Sequence, residues 1–267
     1  MAKQDKAPEQ QYMESLVGSL TDWDDPEARL AQAFKLDEFI LFGQRIVPLD
    51  PKANLPPRLE VLIRLREEEE HLMPPGAFIP VLEHCDMMPA LDRWVVEHAI
   101  QWWQSKGGQA PALNVNLSVE TLIDPSFPVF VQRQMRKAAM PGDVLYFEVE
   151  AVDVVTYPQK SRSAADKLRA AGCRIAIAGF GRDLVSFDAL KEVSAGMIKV
   201  DGGLVMEIHR DPVALAKIKS IQGVCAKVGI QTVAEFVEQQ ETIEKLRAIG
   251  FNYAQGYGVA RPEPLAP

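Results

Sequence analysis

The sequence predicts an α/β protein, a TIM-like (β/α)8 barrel with one antiparallel strand near its N-terminus. Short apolar, β-branched runs alternate with helical patterns of roughly 10–15 residues, which indicates a mainly parallel sheet. About eight such runs follow one another with no interior linker, low-complexity tract or repeat, and closure into a barrel is the economical way to pair them all. The chain has 267 residues, 47% of them hydrophobic, enough to bury the core of one such barrel.

Residues 1–24 are polar and read as a lead-in, with the barrel domain over 25–267. Asp25-Pro26-Glu27 starts a helix over Ala28–Leu36, with proline in the first turn and acids at the positive end of the dipole. Phe39–Phe42 and Arg45–Leu49 read as a strand. Asp50–Pro57 turns the chain, and Leu59–Leu65 is the next strand, antiparallel to the first if a hairpin joins them.

Helical patterns at Phe78–His84 and Leu91–Ser105 lead to a strand at Ala112–Leu117, then a helix at Phe127–Ala139 and a strand at Val144–Val149. Lys160–Ala171 is a helix stopped by Gly172, and Arg174–Ile177 a strand. A Gly-containing loop precedes helix-like Phe187–Val193 and strand Met197–Val200. Pro212–Val228 is amphipathic and stopped by Gly229. Strand Gln231–Ala234, helix Glu238–Ile249 and a short strand Tyr253–Gln255 complete the order.

The bulk numbers narrow the function classes. A net charge of −8 disfavours a nucleic acid polymer as partner. Cys85, Cys173 and Cys225 are far apart and odd in number, which argues against a zinc site or a disulfide framework and for reduced thiols in a cytoplasmic domain. No apolar run approaches the ~18 residues of a bilayer span, and Met1–Gln11 lacks a signal-peptide core, so no direct membrane contact is expected. The acidic run Glu67-Glu68-Glu69-Glu70 reads as a solvated face.

Side chains at the carboxyl ends of barrel strands line the mouth where ligands bind. Polar residues that interrupt apolar runs there are costly unless paired, hydrogen-bonded or metal-bound. They are Gln44, Glu60, Arg64, Asn116, Glu148, Lys199, Asp201, Glu235, Glu238 and Gln255.

From about Asp25 to Pro262 the chain resembles the EAL domain family, cyclic di-GMP phosphodiesterases and their inactive relatives. Phe42–Val47 looks like the family's opening "YQPIV", and Glu60-Val61-Leu62-Ile63-Arg64 stands where Glu-Ala-Leu-x-Arg belongs. Phe78-Ile79-Pro80 and Asp92–Val95 match the helical region that follows. Asn114–Ser118 matches "VNLS", Ile198–Asp201 "LKID", Val233–Glu238 "VAEGVE", and Gln255-Gly256-Tyr257 with Arg261-Pro262 the closing "QGY…RP".

The resemblance implies a two-metal hydrolase site, and the chain departs from it. Glu60, Asn116, Glu148 and Glu235 are vestigial metal ligands, but the family's adjacent aspartates before Phe-Gly are replaced by Ala178 and Gly179. Neither offers the side-chain oxygen that a hard cation needs. Ala151 stands where the family carries a carboxylate that steadies the following loop, and Arg182–Ser186 has lost the usual loop pattern. The expectation is therefore that the chain is not an enzyme, holds no metal and requires no cofactor.

The nucleotide-contacting positions are retained. By the same resemblance Gln44 stands near one guanine, Ile63 and Arg64 meet the nucleotide with Arg64 on a phosphate, and Asp92 faces guanine donors. Asn116, Glu238 and Gln255 complete the ligand set. Phe236 replaces the family glycine and either stacks on a base or narrows the pocket. The expected function is a cyclic di-GMP receptor that binds at the barrel mouth without metal and signals to a partner protein. A ligand-independent adaptor and a residual phosphodiesterase are the rival readings.

Overall fold

The computed structural model describes residues 21, 23–67, 71–182 and 187–266. Most of the polar lead-in, residues 68–70 of the acidic run and residues 183–186 of the altered loop lie outside these.

The chain enters through helix α1 (Pro26–Lys35), whose start is fixed as its residues require: Asp25 Oδ1 accepts from the Ala28 amide at 3.0 Å, and proline occupies the first turn. Strands β1 (Phe39–Pro48) and β2 (Arg58–Arg66) pair antiparallel from Phe39↔Leu65 to Ile46↔Arg58. Short β3 (Leu72–Met73) folds back on the end of β2. Helices α2 (Pro75–His84) and α3 (Met88–Ser105) then lead to β4 (Ala112–Asn116).

Parallel strands follow with helices between them: β5 (Leu145–Glu150), β6 (Arg174–Phe180), β7 (Met197–Val200), β8 (Gln231–Ala234) and β9 (Tyr253–Ala254). The sheet order is β10-β1-β9-β8-β7-β6-β5-β4-β2-β3, and the β1–β2 pairing closes eight of these strands into a ring. The barrel with one antiparallel strand is thus as the pattern predicts. Strand β10 (Glu263–Pro264) is an addition, laid along β1 outside the ring.

The connecting helices are α4 (Val119–Leu122), α5 (Phe127–Lys137), α6 (Ala151–Thr156), α7 (Pro158–Ala170), α8 (Asp188–Glu192), α9 (Gly202–Met206), α10 (Pro212–Val228) and α11 (Gln240–Ile249). Three of them, α4, α6 and α9, each of four to six residues, stand where the sequence pattern shows loops. Each begins at the carboxyl end of a barrel strand, so each frames the mouth.

Side chains alternate along a strand, which divides the polar residues from the core. On β2, Leu59, Val61, Ile63 and Leu65 are buried in the layer between barrel and helices, while Arg58, Glu60, Leu62 and Arg64 take the other face. The amino-terminal end of the lumen is plugged by Arg58, which stacks on Tyr146 (3.9 Å from Cζ to the ring centre) and donates to the Tyr146 hydroxyl at 2.9 Å. The opposite, carboxyl end is open.

Candidate functional site

At the centre of the open end stands Lys199 on β7. Its ammonium lies 2.8 Å from Glu60 Oε2 on β2, 2.8 Å from Glu148 Oε2 on β5 and 3.0 Å from Glu235 Oε1 after β8. Three strands and the first residue after a fourth thus send one charged side chain each to a single point. The second oxygens are also held: Asn116 Nδ2 donates to Glu60 Oε1 and Asn114 Nδ2 to Glu148 Oε1, both at 2.8 Å. Gln255 Nε2 joins Glu60 Oε2 and, at 3.0 Å, Gln44 Oε1. Gln44 in turn donates to the Ala260 carbonyl at 2.9 Å.

Three carboxylates around one ammonium cannot all be equally stabilised. Burial pushes the Glu148 carboxyl up to about 7, and neighbouring Glu60 and Glu235 add to the shift against the pull of Lys199. Glu60 is driven up by burial too, but the charge of Lys199 and hydrogen bonds from Lys199, Gln255 and Asn116 hold it below its ordinary value. Burial works against the Lys199 charge, and the three carboxylates outweigh it, so the ammonium stays protonated far into alkali.

Two cavities open beside this cluster and share Leu62 and Pro75 as their common wall. One, of about 520 Å³, is lined by Ile63, Ile79, Met88, Asp92, Asn116 and Ala178 among others. The other, of about 470 Å³, is lined by Gln44, Arg64, Phe236, Glu238, Gln255 and Tyr257 among others. The structure therefore gathers every expected nucleotide-contacting residue at the mouth but divides them between two lobes. Ile63, Asp92 and Asn116 belong to the first, while Arg64, Gln44, Phe236, Glu238 and Gln255 belong to the second.

Asp92 is buried, Ser118 donates to its Oδ2 through both amide (3.1 Å) and hydroxyl (2.6 Å), and burial raises its pKa. The neighbouring Arg93 pairs with Asp124. Arg64 lies over the Phe42 ring at 5.2 Å and donates to the carbonyl of Ile63. Phe236 is 61% exposed with φ +54°, a backbone conformation a bulky residue adopts at a cost. Its side chain lies close against Gly202, where an added Cβ would come within 2.1 Å of the ring.

At the end of β6 the replaced aspartates leave a methyl group and a glycine. Ala178 faces the first cavity, and Gly179 has φ +64° where the β6–β7 register shifts. Ala151 is buried at the start of α6. Among the described residues no group of three or more His, Cys, Asp or Glu side chains is disposed to hold a metal ion. The carboxylates that remain, Glu60, Glu148 and Glu235, converge on the Lys199 ammonium, so the side chains present do not fit a metal pair.

Some residues of this end of the barrel escape the sequence reading. Asn114 shares its parity with Asn116, and that two-residue spacing is the signal that could have found it. Lys199 is legible as a polar interruption, but not as the hub of the cluster. Glu150 and Arg182, which face each other beside Gly179, carry no motif.

Residues 27–262 match the EAL domain family, and the chain belongs to it. It is 34% identical over 240 residues to the cyclic di-GMP phosphodiesterase PdeB of Shewanella oneidensis, covering 89% of this chain and 28% of that protein. With the cyclic di-GMP phosphodiesterase PdeF of Escherichia coli it shares 30% identity over 239 residues, 89% of this chain and 32% of that one. The chain thus spans about a third of the length of these relatives. Among solved structures, the FimX EAL domain from Pseudomonas aeruginosa bound to cyclic di-GMP superposes with a TM-score of 0.84 at 26% identity, covering 91% of this chain and 97% of that one. The expectation that the chain is not an enzyme is corrected here: relatives that match nearly its whole length carry the name phosphodiesterase. Missing ligands at 178 and 179 speak to one metal arrangement and do not outweigh that finding.

Proposed function

We propose that this EAL domain binds cyclic di-GMP across the open end of its barrel, that binding does not require a metal ion, and that a protein partner reads the occupied state. The observation that carries the reading is the pair of cavities joined at Leu62 and Pro75. A cyclic dinucleotide presents two bases on either side of a dianionic ring, and two lobes with an arginine at the rim suit that shape. Arg64 supplies the fork for a phosphate, and exposed Phe236 and Tyr257 supply faces for a base. Gln44, Ile63, Asp92, Asn116, Glu238 and Gln255 line the lobes or their shared floor. Metal independence is supported by the Lys199 ammonium, which already occupies the point where the three central carboxylates converge and offsets part of their charge. Among the described residues no helix is long and apolar enough to cross a membrane.

A second reading, hydrolysis of the phosphodiester, is favoured by the names of the relatives. The buried carboxyl of Glu148, with its pKa near 7, is suited to proton transfer at neutral pH.

The test is calorimetric titration of cyclic di-GMP into the protein with EDTA present, followed by incubation with Mg²⁺ or Mn²⁺ and chromatography for the linear dinucleotide. Saturable binding in EDTA supports the binding reading, and a linear product adds the second. Absence of binding under both conditions overturns the proposal.

A further inference from the structure

The place that a side chain at residue 179 would fill is already taken. A Cβ built on Gly179 would meet Glu150 Oε2 at 2.6 Å and Arg182 Cζ at 3.6 Å. The resemblance puts an aspartate of the family at this position; this chain has a guanidinium beside the same point. Arg182 is held there from two sides. Its Nε donates to Asp201 Oδ2 at 2.9 Å, and its Nη1 lies 3.8 Å from Glu150 Oε2. More than half of the side chain remains exposed (56%). The guanidinium is therefore positioned by two acids and still reaches solvent.

Its place in the barrel is equally specific. Arg182 follows β6 and Arg64 lies on β2, three steps apart around the eight-stranded ring, so the two residues stand at different sides of its carboxyl end. Ala178, next to Gly179, lines the same cavity as Glu148 and Glu150, and its methyl group adds no further charge to that acidic wall. Ala178 and Gly179 in place of acids lower the repulsion that an anion meets there, and Arg182, held by Glu150 and Asp201, offsets part of what remains.

We propose that Arg182 is a second phosphate-binding arginine, which meets the phosphate of the cyclic dinucleotide that Arg64 does not reach. This deepens the binding reading above and rests on it. Arginine suits the task because its planar fork matches phosphate oxygens, and here the fork is anchored by acids while much of the side chain stays exposed.

The test is titration of cyclic di-GMP into wild type, Arg182→Ala, Arg182→Gln and Arg182→Lys, each at two salt concentrations, with thermal melts to check folding. Loss of a charged phosphate contact should weaken binding about tenfold or more in the Ala and Gln variants, with Lys intermediate. Affinity of those two variants should also depend less steeply on salt, because one ion pair fewer is screened; a purely structural role would not change that slope. Should Arg182→Ala fold poorly, Arg182→Gln, which keeps most of the stem, carries the comparison. Wild-type binding with both variants within about twofold and an unchanged salt slope would overturn the role of Arg182 and leave the binding reading standing. No binding by wild type would overturn both.

Discussion

Lys199 Nζ and Glu148 Oε2 lie 2.8 Å apart with neither side chain more than 2% exposed, an ion pair sealed inside the barrel lumen. Removing one member of a buried pair leaves the other uncompensated. Lys199→Met, which leaves three carboxylates facing one another, should cost about 3–5 kcal/mol of stability by urea unfolding. Mg²⁺ or Ca²⁺ should restore part of the loss in this variant by entering between Glu60, Glu148 and Glu235, and should leave wild type unchanged. A loss below 1 kcal/mol would mean that the cluster is solvated in solution.

Glu148 makes stability depend on pH. Its carboxyl titrates near 7 in the folded protein against an ordinary 4.5. Between those values the folded state holds a proton that the unfolded state has released, so stability falls as pH rises through this window. Glu148→Gln should flatten the profile there while leaving Asn114 its acceptor. Melting temperatures of the two proteins from pH 4.5 to 8 decide it, and parallel curves would assign the titration elsewhere.

Arg64→Ala should weaken cyclic di-GMP binding by about 1.5–3 kcal/mol, the worth of hydrogen bonds to a charged group. Its half-buried place over Phe42 makes a change of fold unexpected. Unchanged affinity in a calorimetric titration would place the phosphate away from this rim.

Phe236→Gly separates binding from stability. Glycine relieves the positive φ, worth about 1–3 kcal/mol, while the packing of the ring on Gly202 is lost, so the two effects oppose in unfolding. Stacking has no such offset, and loss of the ring should weaken nucleotide binding by about 1–3 kcal/mol. Equal affinity would assign the ring to covering Gly202.

The barrel is legible in the sequence because each strand is a short apolar run bounded by turn residues, and the antiparallel start follows from the hairpin at Asp50–Pro57. Helices α4, α6 and α9 are not legible, since four to six residues complete too few turns to show a period. At the site, Glu60, Asn116 and Glu148 could be read from their phase along β2, β4 and β5. The meeting of Lys199 with all of its acids depends on the register of four strands, which no single segment encodes. The closeness of Arg182 to Gly179 depends on the register shift between β6 and β7 and a left-handed glycine, so spacing alone could not reveal it. The expectation of no enzymatic activity rests on the missing ligands at 178 and 179 alone, and the phosphodiesterase relatives correct it.

The most direct measurement is a methyl-labelled NMR titration with cyclic di-GMP, reading the isoleucine, leucine and methionine resonances. Cyclic di-GMP should cause concerted shifts at Leu62 between the lobes and at Ile63, Ile79 and Met88 in the first, with Leu265, in a groove lined also by Leu59 and Trp102 outside the ring, unmoved. Shifts confined to that outer groove, or no shifts at saturating nucleotide, would contradict binding across the mouth.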